Sequence, residues 1–290
     1  METRPIVSVV MTVRNVSATI VDCLQAILRQ TFSDFEVIII DDFSTDDTKR
    51  LIQRFDDKRI KYFKNEKWLG ISPSRNRGLE KAAGEYVFCT DGDCIVSKNW
   101  IEMGVECLQN PSCVAVEGRI YYVSENYKPT FSDHVMENRN GGNFMTGNMA
   151  YRKAVLERTG GFDNGYTYFE DRDIAFRLMK YGRVCFNPEM TVYHPRVVNT
   201  PKKLIASAAN VKNLVRFYRK FGKAEFMVWR ILYPRYLIRL LCPPLVFSSL
   251  LLRTFKNADD FRLLPFTYVY LISQRLQLWR ECAKERVLII

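Results

Sequence analysis

Two carboxylates that flank a glycine, Asp91-Gly92-Asp93, follow directly on the run Tyr86-Val87-Phe88-Cys89-Thr90. The run reads as a buried strand of a parallel sheet. That places the acids at its carboxyl end, where open α/β sheets bind ligands. Hard oxygen donors at this spacing suit a magnesium or manganese ion that bridges to a diphosphate, and also suit a solvated turn. A second acidic group, Glu170-Asp171-Arg172-Asp173, precedes the helical pattern Ile174–Lys180. Adjacent carboxylates push each other's pKa toward neutrality, as a general base requires, and the same acids also favour the first turn of a helix. A third pair, Asp41-Asp42, ends the apolar run Phe35–Ile40. Asp42 either accepts a hydrogen bond from a nucleobase ring N–H or caps its own turn.

The elements that must position these acids alternate along the first 120 residues. Ile6–Val13 is rich in β-formers and ends near Thr12. Ala18–Gln30 shows helical spacing at Ile20, Cys23/Leu24 and Ile27/Leu28. After Asp41-Asp42, Ser44 or Thr45 caps a helix with Asp46 and Asp47 in its first turn. Ile60–Phe63 is a short strand, Ser72–Ala83 a helix closed by Gly84, Trp100–Leu108 a helix and Val114–Val123 a strand. Repeated βαβ units of this kind predict an α/β fold, a mostly parallel sheet flanked by helices. At 47% hydrophobic and 26% charged residues the chain is not disordered. Its eight cysteines form no CxxC pair, so they read as small buried hydrophobes in a reducing compartment. Met1–Pro5 and Ile6–Val13 do not have the order of a secretory leader.

Seven segments occur in a telling order. They are Ser8-Val9-Val10-Met11-Thr12-Val13-Arg14-Asn15, Asp41-Asp42-Phe43-Ser44-Thr45-Asp46, Ser74-Arg75-Asn76-Arg77-Gly78, Asp91-Gly92-Asp93, Thr146-Gly147-Asn148, Gly160-Gly161-Phe162-Asp163, and Glu170-Asp171-Arg172-Asp173 with Arg177-Leu178. Over roughly residues 6–195 this series resembles the family 2 glycosyltransferases, enzymes of the GT-A fold. The resemblance implies a nucleotide-diphosphate sugar donor, with Thr12, Asp42, Arg75 and Asp91 toward the nucleotide sugar. It implies a divalent cation, magnesium or manganese, on Asp93 with Asp91. His194, after Val192-Tyr193, is a further metal ligand by family analogy or a structural residue at a strand end. Asp171 is the implied base, with Glu170 beside it as a second catalytic acid or a hydrogen-bonding partner of the acceptor. Gly147, Asn148 and Asp173 are implied on the acceptor side. The polar stretch 124–148 is then an acceptor loop or an ordinary surface loop.

Charge divides the chain. Residues 200–290 carry 17 Lys and Arg against 5 Asp and Glu, whereas residues 1–199 carry 26 against 27. In the tail Leu204, Ala208, Val211, Leu214/Val215 and Tyr218 recur at helical spacing, with Lys212, Arg216, Arg219 and Lys223 on another face. Trp229, Tyr233 and Tyr236 then alternate with arginines, and Leu240–Leu252 runs 13 residues without charge. That is short of the about 20 residues needed to span a bilayer. The pattern predicts a domain over 1–200 followed by a basic helical region over 201–290 that meets an anionic membrane surface from the cytoplasmic side. A helical appendage packed on protein is the other reading. Nucleic acid is not expected, because the tail aromatics sit among long aliphatics.

The expected activity is inverting transfer of a sugar to an acceptor hydroxyl, on a lipid-linked saccharide. Transfer to polyprenyl phosphate itself, or non-catalytic binding of a sugar nucleotide or membrane, are the alternatives. A nucleotidyltransferase is disfavoured, since Val13-Arg14-Asn15-Val16-Ser17 lacks a glycine-rich phosphate loop.

Overall fold

The computed structural model describes residues 4–222, 227–228, 231–232 and 256–287. Its first strands are the apolar runs of the sequence: β1 Val7–Val13, β2 Phe35–Asp41, β3 Ile60–Lys64 and β4 Tyr86–Asp91. They pair in parallel in the order β3-β2-β1-β4. Between them run the helices α1 Ile20–Leu28, α2 Thr48–Ile52 and α3 Ile71–Lys81.

The central strands read as unbroken apolar runs because both of their faces are covered. Side chains alternate across a strand, so odd and even residues of β1 enter different cores. Val7, Val9, Met11 and Val13 pack with Ile20, Leu24 and Ile27 of α1 and with Trp100 and Leu108 of α4 (Trp100–Gln109). Val10 packs with Ile38, Ile40 and Val87 against Leu79 of α3 and against Ile174 and Leu178 of a later helix. A Cβ on Gly78 would lie 2.4 Å from Val10 Cγ1, so the glycine lets α3 sit close on β1. That close seat fixes where Arg75, one turn earlier, delivers its guanidinium.

The far half of the sheet is mixed. β5 Ile95–Val96, β6 Cys113–Tyr122, β7 Asn148–Arg152 and β8 Arg183–His194 extend the order to β4-β7-β6-β8-β5. β7 runs antiparallel to both β4 and β6, β8 runs parallel to β6, and β5 runs antiparallel to β8. The βαβ alternation does not foretell β7, because the chain reaches it by a polar excursion rather than a crossover helix. Next come α5 Lys153–Arg158 and α6 Glu170–Leu178.

The chain forms two compact units. One joins the residues up to 125 with 136–195; the other joins 126–135 with the residues from 196 on. In the second unit, α7 Pro201–Ser207 and α8 Val211–Phe221 are separated by a 3-10 turn at Ala208–Asn210. The single helix expected across this region is therefore two. α8 buries Val211, Leu214, Val215 and Phe217 and exposes Lys212, Arg216 and Arg219, the basic amphipathic pattern of the sequence. A long helix, α9 Ala258–Glu285, starts with an Asn257–Asp260 capping box. Asp260 also accepts the Ser132 N–H at 2.7 Å, which ties segment 126–135 to this unit. The aromatic and uncharged expectations at Trp229, Tyr233, Tyr236 and Leu240–Leu252 lie outside the described residues.

Candidate active site

Three neighbouring parallel strands bring Thr12, Asp41-Asp42 and Asp91 to one edge of the sheet. Thr12 pairs in register with Ile40 on one side and with Asp91 on the other. Asp42 is buried, and its carboxylate accepts Asn65 Nδ2 at 2.8 Å and the Leu69 and Gly70 N–H groups at 2.9 Å each. The carboxylate thus shapes the loop that leads into α3. Asp41 accepts the Ser44 N–H at 2.7 Å and so sets the turn after β2.

Arg75 links two acids from opposite sides of the site. Its guanidinium lies 2.6 Å from Glu170 Oε1 and 3.7 Å from Asp91 Oδ1. The side chains of Arg75 and Glu170 are only 9% and 10% exposed, so this pair is shielded from water. Burial pushes the Asp91 carboxyl above the usual range, against the Arg75 charge and with the repulsion of Asp93. Gly147 belongs beside Asp91: a Cβ there would come 2.8 Å from Asp91 Oδ2.

Asp93 is placed with His194 rather than with Arg75. The two-residue strand β5 begins just after Asp93-Cys94, and Ile95 pairs with Tyr193 at the end of β8. This short pairing sets His194 Nε2 3.8 Å from Asp93 Oδ2. His194 Nδ1 lies 2.9 Å from the Pro195 carbonyl. With the proton on Nδ1, shared with that carbonyl, Nε2 on the Asp93 side would be available to a cation. Ligand atoms of Asp93, Cys94 and His194 all lie within 4.8 Å of one another. A carboxylate and an imidazole nitrogen so placed fit a divalent cation.

Asp171 has the environment of a base. Burial, and behind it the like charge of Glu170, pushes its carboxyl up to about 7. The Arg172 N–H, 2.7 Å from Oδ1, and the Arg75 charge oppose that rise. Phe169, just before α6, takes a left-handed backbone at φ 76°, an uncommon state for an aromatic residue. Such strain persists where the surroundings over-determine it. Here it aims the first turn of α6, and with it Asp171.

Two residues expected on the acceptor side are bonded into the fold. Asn148 is fully buried: its Oδ1 accepts Trp100 Nε1 at 2.7 Å, and its Nδ2 donates to the Arg119 and Met190 carbonyls at 2.8 Å each. Asp173 is likewise fully buried and bonds Arg177 Nε at 2.7 Å. A short polar side chain serves a core as readily as a site. Sequence reasoning also passed over Glu117. Buried in β6, it accepts Asn138 Nδ2 at 2.8 Å and the Gly142 and Asn143 N–H groups at 2.6 and 2.9 Å. It thereby folds residues 138–143 onto the sheet. A lone acid inside the apolar run Val114–Val123 was the available signal.

Residues 8–163 match the model of glycosyl transferase family 2. The glycosyltransferase AglE of Haloferax volcanii is 29% identical over 79% of this chain and 76% of its own length. A UDP-Glc:alpha-D-GlcNAc-diphosphoundecaprenol beta-1,3-glucosyltransferase of Escherichia coli, WfgD, is 30% identical over 42% of this chain. The chain spans about half the length of WfgD and 41% of another relative, the glycosyltransferase GlyG of Streptococcus pneumoniae. Among solved structures, the mannosyltransferase PcManGT from Pyrobaculum calidifontis, in complex with GDP-Man and Mn2+, superposes with a TM-score of 0.66. That match has 18% identity over 96% of this chain and 88% of the other, and it speaks to the fold.

Proposed function

The chain belongs to glycosyl transferase family 2, and from that premise we propose that it transfers a sugar from a nucleotide-diphosphate sugar to an acceptor hydroxyl with inversion. The acceptor is a lipid-linked saccharide at the cytoplasmic face of a membrane. The observation that carries the reading is the chain of acids across the site: Asp91 and Glu170 joined through Arg75, with the Asp171 carboxyl pushed up to about 7 beside them.

The acceptor oxygen forms its bond to the anomeric carbon as the bond from that carbon to the diphosphate oxygen breaks. The electron pair leaves with the diphosphate, and the acceptor proton passes to an Oδ of Asp171. Glu170 is held by Arg75 at 2.6 Å. Thr12, Asp91 and Arg75 line the nucleotide-sugar side, and Asp42 acts through the loop it fixes. Asp93 and His194 would hold a magnesium or manganese ion, which when bound supplies positive charge for the departing diphosphate. The name of WfgD, with its UDP-glucose donor and diphosphoundecaprenol acceptor, supports this class of substrates.

A screen of sugar nucleotides with and without manganese tests the reading. One of them is expected to raise the melting temperature only with the metal, by about 2.7 kcal/mol of stabilisation at a hundred times its Kd. No stabilisation by any of them, in either condition, would refute it.

The acid limb of activity follows Asp171. The base must be ionised, so kcat/KM is expected to rise with pH through about 7. Glu170→Gln removes a like charge and frees Arg75 to favour the carboxylate, so the limb moves to lower pH. A limb that stays in place in that variant would remove Asp171 as the titrating group.

The membrane contact is proposed from the second unit. Among the described residues no helix is long and apolar enough to cross a membrane. On α9, Phe261, Val269, Ile272, Leu276 and Trp279 are exposed and recur every three, four or eight residues, which is one helix face. Arg262 and Arg280 are exposed beside that face. An apolar stripe with basic margins suits the headgroup boundary of an anionic bilayer. Flotation with phosphatidylglycerol vesicles is expected to capture the protein at low salt and to release it as salt rises. Loss of capture is expected in Leu276→Ser/Trp279→Ser. Absence of binding at low salt removes the contact.

A further inference from the structure

Cys94 has no part in the transfer chemistry, yet its thiol lies within the candidate cation site. Its Sγ is 3.6 Å from Asp93 Oδ1, while Asp93 Oδ2 is 3.8 Å from His194 Nε2. The three ligand atoms fall inside 4.8 Å of one another. Zinc bonds oxygen and nitrogen at about 2.0–2.2 Å and sulfur at about 2.3 Å, so tetrahedral ligands are separated by about 3.3–3.8 Å. Drawing the three atoms from within 4.8 Å to that spacing, through one Asp93 oxygen, would make them three corners of such a site, with the fourth left open. The placement is built in. β5 begins at the next residue, and its pairing to β8 holds residue 94 beside His194. Cys94 is buried, so its thiol is fixed in the wall of the site and not free in solvent.

Magnesium takes oxygen ligands and keeps several waters, and a sulfur contributes little to it. A carboxylate, a thiolate and an imidazole together form the mixed donor set of a zinc-class ion. We propose that Cys94 is a third protein ligand of this site, which makes it an oxygen–nitrogen–sulfur centre that holds zinc or cobalt more tightly than magnesium. On binding, the metal–sulfur bond forms and the thiol proton passes to solvent. This rests on the reading of Asp93 and His194 as the residues that hold the cation.

Cobalt(II) added alone to the full-length protein tests the proposal by absorption. The expected result is a near-ultraviolet sulfur-to-cobalt charge-transfer band, with visible bands of tetrahedral intensity, both erased by added zinc. Cys94→Ser should lose the charge-transfer band, and its zinc affinity should fall at least about tenfold, since even an outer-shell partner is worth that much. Cys23→Ser, which removes a neighbouring buried thiol, should keep the band. Cobalt that binds the wild type without a sulfur band overturns the role of Cys94 and leaves Asp93 and His194 as ligands. A band that survives Cys94→Ser also overturns it. A wild-type protein that binds no cobalt overturns both this proposal and the cation site on which it rests. The wild-type spectrum decides the question even if Cys94→Ser does not fold.

Discussion

Asp171→Asn is expected to lower kcat by about two to four orders of magnitude, the span of a general base, while leaving the Kd for the nucleotide sugar unchanged. The amide keeps the shape and the hydrogen bond to the Arg172 N–H but cannot take a proton at neutral pH. Stability separates this loss from misfolding. The folded carboxyl sits near 7, above its ordinary value near 4, so the fold favours the protonated form. The unfolded chain ionises freely between these pH values. The wild type therefore loses stability as pH rises from about 4 to about 7, and the full penalty remains above that. Asparagine carries no such penalty. The variant is expected to melt higher than the wild type at pH 8 and equally at pH 4. Turnover within tenfold of wild type at pH 8 would take the base role from Asp171.

The acids of the site were legible because a buried parallel strand announces its own carboxyl end. Asp42 and Asp91 each close an apolar run, and Asp171 stands at the head of a readable helix. The partnerships were not legible. His194 meets Asp93 through two residues of β5, a pairing that no periodicity reveals. The donors to Asp42 lie 23 to 28 residues away along the chain, so neither a turn motif nor a ligand contact anticipates them. The core bonds of Asn148 and Asp173 were not legible either, because their partners, Trp100 for one and Arg177 for the other, are set by how the elements pack. Glu117 stands out in the sequence only as an acid within a strand, and the backbone of residues 142–143 gives it a purpose.

The strongest effect on stability is expected at Arg75. Its positive charge lies between Glu170 and Asp91, on elements 95 and 16 residues away along the chain. In Arg75→Met the apolar volume is roughly kept, but two carboxylates then face each other without their cation. Breaking a buried pair from one side costs about 3–5 kcal/mol. A typical fold has about 5–15 kcal/mol in all. A melting temperature lower by about 10 °C is therefore expected at neutral pH, at about 2–4 °C for each kcal/mol in a chain of this class. The deficit has a direction in pH. The Arg75 charge is what holds the Asp91 carboxyl down against burial, so without it Asp91 protonates more readily as pH falls and the repulsion fades. The gap to wild type should narrow toward pH 5 and widen toward pH 8. Arg75→Lys keeps the charge but not the planar fork, so it should recover part of the stability and less of the nucleotide-sugar affinity. Thermal melts of the three proteins across pH measure this directly. An Arg75→Met protein that melts within about 2 °C of wild type at pH 8, less than 1 kcal/mol of loss by the same scale, would show that Glu170 and Asp91 do not depend on this charge. The coupling between Asp91 on the sheet and the acids that open α6 would then need another carrier.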